Sequence, residues 1–149
     1  MLIGTHLITG GVLGEVVGNP IAAFGVGLLS HFCLDSIPHY DLTDGGKITK
    51  RQIALILAEV TIAILLIALM KPSLAHNSPF LWGGLGGVLP DLVDNVPLWN
   101  KSFRKLRFGY LFNQFHEWTH HYRPPAWLGL LSQAVTLIIM LIIHFKLIK

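Results

Sequence analysis

Five apolar stretches, each about 17 to 20 residues long, run through this chain and limit the folds that it can adopt. They cover residues 2–17, 21–37, 53–70, 80–99 and 126–145. Segments of this length can cross the hydrocarbon core of a bilayer as helices. They are too long and too continuous to be β-strands. The sequence therefore predicts an all-α protein.

Charged residues are too few to cover the surface of a soluble globule. They make up 13% of the 149 residues, against 52% that are hydrophobic, whereas a soluble domain carries about 25%. The mean hydropathy is +0.59. We therefore predict one domain over residues 1–149, a helical integral membrane bundle of about five spans. The mixed aromatic and polar segment 108–121 adds an interfacial helix.

The distribution of Lys and Arg predicts the orientation of the bundle. If residues 53–70 enter the bilayer from the cytoplasm, eight of the 11 Lys and Arg residues lie on the cytoplasmic side. The expected location is a prokaryotic inner (plasma) membrane, with membrane lipids as partners. No basic run is interleaved with exposed aromatic residues, so a nucleic-acid partner is not expected. The oligomeric state is left open.

The densest polar cluster is S-H-F-C-L-D-S-I-P-H-Y-D, at the end of the second apolar run. His31 and Asp35 are four residues apart, so on a helix they share one face and can hold a metal ion between them. Because Ile37, the residue before Pro38, avoids the α region, the helix is expected to stop near Ser36. His39 and Asp41 would then fold back from the loop. The alternative is a capping histidine and a surface aspartate.

Two further polar clusters follow. Asp91 and Asp94 are three residues apart and share a helix face, and carboxylates at membrane depth call for a cation. The alternative is a helix end at which Asp91 is a cap and Asp94 lies in water.

His116 and His120 are four apart in H-E-W-T-H, which fits the zinc motif H-E-x-x-H with Glu117 as general base. The alternative is an aromatic helix with incidental histidines.

All these clusters are expected at the cytoplasmic end of the bundle. The histidines and carboxylates in these clusters are more than one four-coordinate metal ion can bind. One or two divalent ions are therefore predicted, with zinc favoured and manganese or iron as alternatives. Glu117 and Asp94 are the candidate catalytic residues. The candidate metal ligands are His6, His31, Asp35, His39, Asp91, Asp94, His116 and His120.

The chain resembles the membrane-bound metal-dependent hydrolase family. The matching pieces are Thr5-His6, Leu29-Ser30-His31 with Asp35, Leu89-Pro90-Asp91 with Asp94, and Thr119-His120. There is a weaker similarity to the all-helical zinc-dependent phospholipase C group. The resemblance implies a helical membrane protein with a metal centre that hydrolyses a phosphoester or lipid. It also implies metal ligands at His31, Asp35, Asp91, His120, His6 and His116.

Together these features predict a membrane-embedded hydrolase that acts on a small-molecule or lipid substrate at the cytoplasmic face through metal-activated water. One alternative is a metal-binding membrane protein without catalysis. The other is a small transporter with Glu59 in its relay, although Glu59 is also expected to pair with a partner inside the bundle. His76 and His144 fall on the opposite membrane face and are left out of the site.

Overall fold

The computed structural model describes residues 1–40, 49–96, 98–120 and 124–148. Across these ranges the chain forms seven α-helices and a closing π-helical segment, with no β-strand. The predicted all-α class is therefore confirmed for the described residues. The helices are α1 (Ile3–Val17), α2 (Pro20–Asp35), α3 (Lys50–Met70), α4 (Pro79–Asn95), α5 (Asn100–Phe103), α6 (Arg107–Thr119) and α7 (Ala126–Ile143), and the π-helical segment is His144–Ile148.

Local signals in the sequence set the ends of the first two helices. α1 stops at Gly18, whose φ of 74° lies in the left-handed region that glycine adopts at little cost. The Asn19 side chain then accepts hydrogen bonds from two backbone N–H groups of the first turn of α2. α2 ends at Asp35, three residues before Pro38, as the sequence predicts.

Among the described residues, α3 and α7 are the two helices long and apolar enough to cross a membrane. The apolar segments are Gln52–Met70 and Ala126–Lys146, and only 11% and 17% of them are buried within the protein. A core helix of a soluble protein would be mostly buried, so these helices expose the surface that a lipid phase would cover. α1 and α2 have 15 and 16 residues, about 23 Å against a hydrocarbon core of about 30 Å. The structure thus gives two candidate spans rather than five.

Glycines let α4 lie directly against the backbones of α1 and α2. A Cβ atom added to Gly10 would overlap the carbonyl oxygen of Gly83, and one added to Gly87 would overlap the carbonyl oxygen of His6. Such contacts are typical of helices that approach closely in membranes. They fix the height of His6 on α1 relative to α4. Below them lies an apolar core of Ile8, Val12, Ala63, Met70 and Phe80.

Candidate metal centre

Asp35, the last residue of α2, lies at the centre of a buried group of histidines and is itself 2% exposed. Its Oδ2 atom lies 2.9 Å from Nε2 of His31, one helical turn earlier. The same oxygen lies 3.4 Å from Nε2 of His116 in α6 and 3.1 Å from Nε2 of His120 at the end of that helix. The predicted meeting of the second-helix pair with the late histidine pair is therefore observed.

The other oxygen of Asp35 faces α1 and the loop after α2. Oδ1 lies 3.1 Å from Nε2 of His6 and 3.8 Å from Nε2 of His39. It also lies 2.5 Å from the amino group of Met1. The His39 ring is oriented by its Nδ1 atom, which lies 2.7 Å from the carbonyl oxygen of Ile37. The turn at Pro38 thus returns His39 to the cluster, as expected from the sequence.

The partners of two imidazoles show which ring nitrogen holds the proton. Nδ1 of His31 lies 2.7 Å from the carbonyl oxygen of Gly87, and Nδ1 of His116 lies 3.0 Å from Oδ2 of Asp94. A carbonyl and a carboxylate only accept hydrogen bonds, so each Nδ1 donates. In the neutral imidazoles the Nε2 atoms then present lone pairs, and these two atoms are 3.0 Å apart. Lone pairs so close to each other and to a carboxylate are unfavourable unless a proton or a metal cation lies between them.

Asp94 lies behind His116 rather than beside Asp35. Its Oδ1 accepts a hydrogen bond of 2.9 Å from Nε of Arg104, and its Oδ2 accepts one of 2.9 Å from Asn113. Burial alone would lower the pKa of His116, but the carboxylates of Asp35 and Asp94, which face its two ring nitrogens, favour the protonated ring and raise the pKa. The potential at its ring is therefore negative enough to favour a positive partner.

His6 is fully buried. Its Nε2 atom contacts Asp35 Oδ1 at 3.1 Å, whereas its Nδ1 atom makes no hydrogen bond with a described residue. Its ring stacks on that of His31, with the ring centroids 4.0 Å apart. A buried ring nitrogen without a hydrogen bond loses its hydration without compensation, which is unfavourable. This is the state expected of a side chain whose partner is a ligand outside the protein chain.

Asp91 lies at a more open edge of the cluster. Its Oδ1 atom is 3.7 Å from Nε2 of His116, and it accepts a hydrogen bond of 2.8 Å from Asn95. Its side chain is 15% exposed, as is that of His120. Solvent therefore reaches the cluster beside these two residues.

Within the part of the chain that the structure describes, three groups of side chains each bring ligand atoms within 4.8 Å of one another. Imidazole nitrogen and carboxylate oxygen are the donors that zinc, manganese and iron bind in proteins. The donor set and the converging lone pairs fit a divalent cation. The groups are His6 with His31 and Asp91, His31 with Asp35 and His116, and Asp35 with His39 and His120.

Some predicted site residues lie elsewhere. Glu117 is exposed and belongs to none of these groups, although it follows His116 directly, because adjacent helix residues point in different directions. Asp94 also belongs to none of them. Asp41 lies outside the described residues. Far from the cluster, Nδ1 of His144 lies 2.7 Å from Glu15 Oε2, and Nε2 lies 3.0 Å from the carbonyl oxygen of Met70.

The residues that support the cluster were missed by sequence reasoning. From the sequence, Gly87 was interpreted only as a residue for close helix packing, and Arg104 only as part of the Lys and Arg distribution. In the structure Gly87 orients His31 and Arg104 orients Asp94. Asn113 carried one usable signal, because an amide three residues before a ligand histidine shares its helix face.

Comparisons with protein-family models, with curated proteins and with solved structures found no match to this chain.

Proposed function

We propose that this protein is an integral membrane hydrolase that uses one or two divalent cations, zinc being favoured, at the cytoplasmic face of a bundle of about five spans. The proposed substrate is a phosphoester or a lipid. The single observation that carries the proposal is the convergence of imidazole Nε2 atoms around Asp35, because such an arrangement of acceptors is unfavourable without a cation.

The number of ions follows from the shape of the cluster. The two oxygens of Asp35 face different histidines, with His31 and His116 on one side and His6 and His39 on the other. If two ions were bound, Asp35 would help to hold both. Because the groups share Asp35 and His31, a single central ion is the simpler alternative.

The membrane location is supported by α3 and α7, which carry mostly exposed apolar side chains. α1, α2 and α4 would complete the five spans, the first two as short helices in a locally thinned bilayer. Lys50 at the start of α3 and the basic residues around α5 fall on one side in the proposed orientation. The end of α2, and hence the cluster, falls on that side as well.

A bound divalent cation would supply a Lewis acid that activates water for attack on a phosphoester. The chain's own residues would do the rest. Asp94 would hold the proton on Nδ1 of His116, so that Nε2 keeps its lone pair toward the site. A substrate would approach beside Asp91 and His120, since their side chains are the more exposed ones.

Elemental analysis of the detergent-purified protein tests the metal centre. We expect about one or two equivalents of a divalent metal in the wild type, and loss of the metal in His31→Ala and Asp35→Asn. His76→Ala is the matched control, because His76 is an exposed histidine outside the cluster. Metal retained in both cluster variants, or absent from folded wild-type protein supplied with zinc, would refute the proposal.

A metal-stabilised membrane protein without catalysis is the second candidate. The burial of the cluster favours it, since the side chains of His6, His31 and Asp35 are completely buried. Hydrolysis of a chromogenic phosphodiester by the metal-loaded protein separates the two candidates. Turnover that disappears in His31→Ala but persists in His76→Ala supports the hydrolase, and bound metal without turnover on any phosphoester or lipid supports the second candidate.

A further inference from the structure

A cavity of about 370 Å³ opens between α1, α3 and α7. Its lining begins next to the metal cluster, because Thr5 and Tyr40 line it and are the chain neighbours of His6 and His39. Gln133 of α7 marks this end. Its Oε1 accepts a hydrogen bond of 2.9 Å from the backbone N–H of Leu2, and its Nε2 donates one of 3.3 Å to the carbonyl oxygen of Tyr40.

The cavity is long rather than round. Along α7 its lining extends from Ala126 to Leu137, which corresponds to about 16 Å of helix. Half of a hydrocarbon core of about 30 Å is about 15 Å. The cavity therefore reaches from the level of the cluster to about the middle of the bilayer, the depth occupied by the chains of one leaflet. At its deep end, Leu137 packs against the apolar core.

The walls suit a hydrocarbon chain. Most lining residues are aliphatic, and two of the three helices that supply them are the candidate membrane spans α3 and α7. Glu59 also lines the cavity, but its Oε1 accepts a hydrogen bond from the backbone N–H of Gly4. This pairing fulfils the expectation that Glu59 has a partner in the bundle, and it leaves the cavity predominantly apolar.

We infer that this cavity holds one acyl chain of the substrate, whose phosphate-bearing headgroup lies at the metal cluster. The inference rests on the proposed function and narrows its substrate class to a membrane lipid with a phosphoester. A water-soluble phosphoester would make no use of an apolar cleft of this depth. A lipid reaches both the cleft and the cluster without leaving its leaflet.

Filling the cavity tests the inference. Ala134→Phe and Ala58→Phe place a bulky ring in the cavity from α7 and from α3 respectively. Ala68→Phe is the matched control, because Ala68 is an exposed alanine of α3 that is not among the lining residues. The probe is myristoyl lysophosphatidylglycerol, added to the detergent-purified full chain, and native mass spectrometry measures the protein with one bound lipid. Circular dichroism checks that each variant is folded.

We expect the affinity for this lipid to fall by about tenfold in the two filled variants, equivalent to about 1.4 kcal/mol, and to stay unchanged in Ala68→Phe. Lipid binding that is unchanged in Ala134→Phe and Ala58→Phe, or that falls equally in Ala68→Phe, would overturn the inference. Metal content measured on the same samples separates the two proposals. If metal is bound but lipid binding does not depend on the cavity, only the acyl-chain site is refuted. If lipid binding depends on the cavity but no metal is bound, only the proposed function is refuted.

Discussion

Replacing Asp94 by asparagine tests whether the residues behind the cluster control its metal affinity. The Asp94 carboxylate accepts hydrogen bonds from three donors, Arg104 Nε, Asn113 Nδ2 and His116 Nδ1, at 2.9, 2.9 and 3.0 Å. An asparagine has one acceptor oxygen, and its NH2 group is itself a donor. In either orientation of the amide, at least one donor therefore faces the NH2 group.

The consequence depends on which donor loses its acceptor. If the amide oxygen stays with Arg104, the NH2 group faces Nδ1 of His116, and the favoured tautomer of that imidazole moves its proton to Nε2. The lone pair that faces the cluster is then lost. Removing a residue that orients a ligand typically weakens metal affinity by about 10- to 100-fold, which is about 1.4 to 2.7 kcal/mol.

The assay is a competition titration of zinc between the detergent-purified protein and a chromogenic chelator. We expect the Kd of Asp94→Asn to rise by about 10- to 100-fold. Glu117→Gln should stay within about twofold of the wild type, because it removes an exposed carboxylate from the same helix. If Asp94→Asn binds zinc like the wild type, or if Glu117→Gln weakens binding equally, the assignment of Asp94 as a positioning residue is wrong.

Two further predictions concern stability. Chelating the metal should lower the Tm by about 5–10 °C, because a ligand present at a hundredfold its Kd contributes about 2.7 kcal/mol. An equal fall in the Tm of Asp35→Asn on adding the chelator would contradict this prediction. His144→Ala should lower the free energy of unfolding by about 3 kcal/mol, because Glu15 and the Met70 carbonyl lose their buried partner. Thermal melts measure both, and loss of metal in His144→Ala would show that the two sites are coupled.

The sequence was sufficient for the parts of the site that depend on local geometry. The spacing of His31 and Asp35 places them on one helix face, and Pro38 returns His39 to the cluster. His6 and His116 also lie close to Asp35, which was predicted from an alternation of five spans, whereas the described residues give two candidate spans. The positions of His31 and His39 follow from helix periodicity and from the backbone restriction that a proline imposes.

The positions of the other site residues depend on tertiary contacts, which the spacing of residues in the sequence does not predict. Asp91 and Asp94 share a helix face by spacing, yet Asp91 lies at the open edge and Asp94 lies behind His116. Glu117 fits a catalytic motif in sequence but is exposed. By contrast, the apolar runs predict α1 and α2 to within two residues at each end, because Gly18 ends the first helix and Asn19 caps the second.

The close contact of α1 with α4 has a consequence for ion selectivity. The backbone of Gly87 lies against that of His6, and its carbonyl oxygen accepts a hydrogen bond from Nδ1 of His31, so main-chain atoms set the distance between these two rings. A metal site whose ligand side chains stand on backbones fixed against each other changes its size less readily than a site on separate segments. We therefore expect it to discriminate among divalent ions by radius, admitting those of the size of zinc and rejecting the larger calcium ion.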